Sequence, residues 1–107
     1  MTAALQALED QYILLTNNLS ALSAACQNDD EKNALMTQYV ACRRNYFAAI
    51  NQMFHDDDPA VITLANQMKQ EQAALQASVA HIGAVAGVIT TITTAVQTGA
   101  ALVAKAG

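Results

Sequence analysis

From Val61 to Val103 the apolar residues of this chain hold one spacing of three and four without losing phase. Val61, Leu64, Met68, Leu75, Ile82, Val85, Ile89, Ile92, Val96 and Val103 all fall on it, and Glu71, Ser78 and Gly99 occupy the remaining positions. A loop between two helices has no reason to preserve heptad phase, and the segment SVAHIG at 78–83 is poor turn chemistry. The phase therefore predicts a single third helix over about 59–105. The competing geometry breaks this run within residues 80–84, near Gly83, and closes a four-helix bundle.

Two shorter runs precede it. The first covers about 2–26, with Leu5, Leu8, Tyr12, Leu15, Leu19, Leu22 and Cys26 as its seam and Ile13 and Leu14 widening the apolar face. The second covers about 29–54. Leu35, Tyr39, Cys42, Tyr46, Ala49 and Met53 make one seam, and Met36, Val40, Phe47, Ile50 and Phe54 a second. Two seams predict a middle helix packed on two neighbours. Asn28 reads as an N-cap with Glu31 as its capping-box partner, and Asp58-Pro59 as an N-cap followed by proline in the first turn. The fold class is thus all-α: one domain made of an antiparallel helical hairpin and a long third helix, with the closed bundle as alternative.

The continuous-helix geometry leaves a surplus. A run of about 25 residues spans about 38 Å, and one of about 45 residues almost 70 Å, so the hairpin covers only half of the third helix. Residues 82–104 carry no acidic, lysine or arginine side chain. Exposing large apolar groups there would forfeit about 1.5–3 kcal/mol each. Ile82, Val85, Ile89, Ile92, Val96 and Val103 are the expected packing residues for a second copy or another helical protein. Gly83 and Gly87 match the GxxxG spacing of close backbone approach; the plainer reading is two tolerated glycines in an alanine-rich helix. A bilayer is a further candidate by length, but the threonines at 90, 91, 93, 94 and 98 and the scarcity of leucine and phenylalanine disfavour it.

Several classes are excluded or disfavoured. The net charge is −4 and the five basic residues are scattered, so no stripe can hold nucleic-acid phosphates. The cluster HDDD at 55–58 lacks the alternate acids and glycine of a calcium loop and reads as a solvated turn with helix-start acids. His81 reads as a partly buried polar residue, with a pH-dependent switch in assembly as the lesser option. Cys26 and Cys42 lie about 17 Å apart along a hairpin turning near residue 28, beyond disulfide reach, and read as free core thiols. No catalytic constellation, cofactor site or metal site is expected. The N-terminal MTAALQALEDQY has no basic region before its acids, so the chain is expected to be cytoplasmic as made, with no cleavable signal peptide.

INQMFHDDDPAVITLANQMKQEQ, residues 50–72, resembles the subunits of bacterial type III secretion needles. The matching residues are Asp57, Asp58 and Pro59, then Val61 and Ile62, then Asn66. The resemblance implies a helix-turn-helix subunit of a hollow filament, exported on an uncleaved N-terminal signal. This chain departs from that pattern in its greater length and its uncharged tail. The expected function is non-enzymatic: a helical assembly or protein-interaction protein working through its C-terminal run, with a filament or secretion-apparatus component as one instance. The alternatives are a membrane-active protein inserting residues 82–104 and a compact monomeric regulator or inhibitor.

Overall fold

The computed structural model describes residues 2–106 and is all-helical: α1 (Ala3–Ala25), α2 (Asp29–Ile50), α3 (Pro59–Ala80) and α4 (Val85–Val103). The helix starts follow the sequence chemistry. Asn28 caps α2 by accepting from the Glu31 N–H at 2.8 Å, and Glu31 accepts in return from the Gln27 N–H, one residue earlier than a capping box requires. Asp58 caps α3 through the Ala60 N–H at 2.9 Å, with Pro59 in the first turn. α2 ends at Ile50, so Met53 and Phe54 lie in the following link.

The expected continuous third helix is not formed. The run breaks at His81–Ala84, and α4 folds back on the bundle, as the alternative geometry had it. The longest dimension is 43 Å, whereas a helix over 59–105 would need about 70 Å. The break has little local help, since Ala84 caps α4 with no side-chain hydrogen bond. Burial decides it. Folding back encloses Val85, Val88, Ile89, Ile92, Ala95, Val96 and Leu102, at about 1.5–3 kcal/mol for each large group, which a continuous helix would leave in water. Each helix keeps its own 3–4 spacing, and the short link happens to preserve the frame between them.

The four helices occupy the corners of a square. α1 packs on α2 and α3, and α4 packs on the same two, while α2 and α3 have no contact among the described residues. The link 51–58 therefore crosses a diagonal, and buried Phe54 fastens it beneath the lower core with Leu8, Val61 and Leu102. Two neighbouring pairs consequently run parallel, α1 beside α3 and α2 beside α4. Gln72 of α3 donates to the Asp10 carbonyl of α1, and Asn45 of α2 to the Val96 carbonyl of α4. The upper core joins Leu15, Leu22, Leu35, Cys42, Leu75, Val85 and Ile92.

The buried row of α1 is Ala4, Leu8, Gln11, Leu15 and Leu22, so Leu5, Tyr12 and Leu19 of the expected seam lie half-buried on its flank. Gln11 is completely enclosed where α1 and α4 approach across the diagonal. It donates to the Ala95 carbonyl at 3.0 Å, while its Oε1 has no protein partner.

Candidate interaction surface

The residues expected to reach outward from the C-terminal run mostly point inward. Val85, Ile89, Ile92 and Val96 are buried core, and Ile82 and Val103 are half-buried against it. Gly83 and Gly87 are exposed, and a Cβ on either would meet nothing within 4 Å, so neither makes a close approach within the chain. The tight glycine is Gly99, where a Cβ would lie 3.2 Å from Asn45 Nδ2 and 3.3 Å from Leu8 Cδ2. Gly87→Ala should therefore stabilise the protein by about 0.5–1 kcal/mol through helix propensity alone. A urea titration checks this; a loss of stability would mean that Gly87 is packed.

What α4 leaves outside is a face of Ala86, Gly87, Thr90, Thr94, Gln97 and Ala100. Its threonine hydroxyls turn back onto their own helix: Thr90 donates to Ala86 O at 3.1 Å, and Thr94 to Thr90 O at 3.2 Å. α4 is long and apolar enough to cross a membrane by length and composition, and half of it is buried inside the bundle. Between α3 and α4, Thr98 meets Gln67 and Glu71, and the second Glu71 oxygen has no protein partner. The adjoining groove holds only about 210 Å³, below the range of about 300–1,000 Å³ that encloses a small molecule.

The unpartnered apolar surface lies on α2. Of its second predicted seam only Phe54, in the link beyond the helix, enters the core: Met36, Val40, Phe47 and Ile50 are 42%, 47%, 48% and 44% exposed. α2 does pack on two neighbours, but through Leu35, Cys42, Ala49 and the flanking Tyr39 and Tyr46. The signal for this was in the sequence. The seam's own spacing passes through Arg43, and Arg44 and Thr37 lie beside it, so that side could not be buried without stranding charge. Elsewhere only Ile13, Met53 and Ile62 are large, apolar and exposed among the described residues.

This face is braced from behind. Tyr12 of α1 stacks between Tyr39 and Tyr46, at 6.1 and 5.4 Å between centroids, and meets the edge of Phe47 at 5.8 Å. The Arg43 guanidinium lies over the Phe47 ring at 5.5 Å. Tyr46 donates to Glu9 Oε2 at 2.9 Å, and that bond, with smaller desolvation and charge contributions, raises its hydroxyl above the ordinary tyrosine value. An open groove of about 510 Å³ on the same helix is lined by Asn33, Met36, Thr37, Val40, Ala41 and Arg44.

The remaining polar groups offer little chemistry. Burial pushes the Cys42 thiol up to about 12, so it stays protonated, and Cys26 is a half-buried free thiol. His81 is exposed at the end of α3 rather than partly buried. Among the described residues, no group of three or more His, Cys, Asp or Glu is placed to hold a metal ion. No family model, no curated protein and no solved structure matches this chain.

Proposed function

We propose that this chain is a non-enzymatic interaction protein: a four-helix bundle that presents the outer face of α2 to a helical partner. The observation that carries this reading is the exposed row Met36, Val40, Phe47 and Ile50, set at 3–4 spacing along one helix, with Phe47 backed by Tyr12 and Tyr46. A row with that spacing is a seam that accepts another helix. The interaction class is the one expected from the sequence, but the surface differs, because α4 spends its apolar side on the chain's own core. Membrane insertion by α4 stands second. Its length and lack of charge favour it, and the cost of opening the bundle to free it opposes it.

A photo-reactive residue placed at exposed Thr37 should give discrete covalent adducts in the cells that make the protein. The same group at exposed Gln97 on α4 should give none. Adducts from position 97 alone, or from neither position, would overturn the assignment of the surface to α2.

A further inference from the structure

Resting on that reading, we propose that the occupant of the α2 face is the α2 face of a second copy, packed antiparallel. The outer side of α2 is polar in its charge as well as apolar along its middle. Asp29, Asp30 and Glu31 occupy the first turn, and Arg43 and Arg44 lie in the second half of the same helix. Among the described residues no acid of the chain pairs with either arginine; Arg43 only covers Phe47. Asn33, Met36, Thr37 and Val40 lie between the two charged groups.

A two-fold axis perpendicular to α2 makes the paired helices antiparallel and the surface self-complementary. In one register Arg44 lies across from Asp29 of the copy, Arg43 from Asp30 and Val40 from Asn33, with Met36 and Thr37 beside the axis; the overlap covers residues 29–44, and Phe47 and Ile50 lie beyond it. A parallel pairing instead sets acid on acid and arginine on arginine. An antiparallel shift that places Met36 against Ile50 instead sets Arg43 against Arg43 of the copy. Charge therefore selects both direction and register, as such pairs do across interfaces generally.

The size of the face sets the strength. The overlapping residues 29–44 make about 24 Å of helix and offer a strip about 10 Å wide, well under the roughly 800 Å² that each partner gives to a standard interface. The dimer is accordingly weak and concentration-dependent, on the order of 100 µM, and loosens with salt because its charge pairs are solvent-exposed.

Sedimentation equilibrium of the full chain tests this. At low salt the weight-average mass should climb from 11.3 kDa toward twice that value as concentration passes through the expected range. Raising the salt tenfold should weaken the dimer about tenfold. R43E/R44E and D29K/D30K should each be monomeric, with helical content checked by circular dichroism. An equimolar mixture of the two should recover the dimer, because every reversed pair is again opposite in sign. A monomeric wild type, or a mixture that stays monomeric, overturns the self-pairing. In that case adducts of Thr37 with a foreign mass would show that the α2 face is used by another protein, whereas an absence of adducts would sink the interaction reading itself.

Discussion

Ile92→Asp should leave the chain with no cooperative thermal transition at neutral pH, while Ile92→Ala keeps one at a lower temperature. Ile92 is fully enclosed and lies in the upper core with Leu15, Leu22, Leu35 and Leu75, contributed by the other three helices. The alanine variant loses apolar contact and opens a cavity, at about 2–5 kcal/mol. The aspartate variant adds the desolvation of a carboxylate with no cation in the cluster, which is several kcal/mol more whether the group ionises or is forced to stay protonated. A domain of this size has about 5–15 kcal/mol to lose, so the two changes fall on opposite sides of folding. Circular dichroism during heating reads the difference. If residues beyond 84 instead projected from a three-helix core, the aspartate would sit outside it and the melt would not move; that result would overturn the folded-back placement of α4.

The second large effect is expected at Gly99. Leucine there must enter a space where a bare Cβ already lies 3.2 Å from Asn45 Nδ2, 3.3 Å from Leu8 Cδ2 and 3.4 Å from Gln11 Oε1. The side chains that would have to move also hold α4 in place, through Asn45 to the Val96 carbonyl at 3.2 Å and Gln11 to the Ala95 carbonyl. Overpacking costs about 1–3 kcal/mol, and displacing Gln11 adds a buried amide without its one bond, at about 1–3 kcal/mol. The melting temperature should fall by roughly 10–30 °C. Gly87→Leu, on the open side of the same helix, is the control and should leave it within a few degrees. An unchanged melt for Gly99→Leu would mean that α1 and α4 do not approach at this point.

The contrast between these glycines shows what could be read from the sequence. Helix starts were legible because capping is local: Asn28 and Asp58 each act on an N–H two or three residues away. The helical content was legible because 3–4 spacing is a property of each segment. The break at 81–84 was legible only as an alternative near Gly83, because phase carries no information about whether a helix continues or turns back to bury itself. Gly83 and Gly87, with the spacing of a close-contact pair, make no close approach within the chain. A glycine's role depends on which helix faces it, and Gly99 earns its place from Gln11 and Asn45, 88 and 54 residues away in sequence. Gln11 carries no local mark of its burial, which comes from α4 packing over it. The outer row of α2 was visible as a second seam. Only the arginines threaded through it marked that row as a surface.

Because residues 51–58 cross a diagonal, the chain divides kinetically into two local hairpins and one distant docking. α1 with α2, and α3 with α4, meet across turns of a few residues, so each pair closes a short loop at small entropic cost. The pairs between hairpins are of another kind: Asn45 and Val96 are 51 residues apart, Asp10 and Gln72 are 62, and Gln11 and Ala95 are 84. Fast hairpin formation should therefore precede a slower search in which the two halves find their parallel alignment. Until that search ends, the inner sides of Leu15, Leu75 and Ile92 face water, and the half-assembled chain is at its most exposed to mispairing with its neighbours.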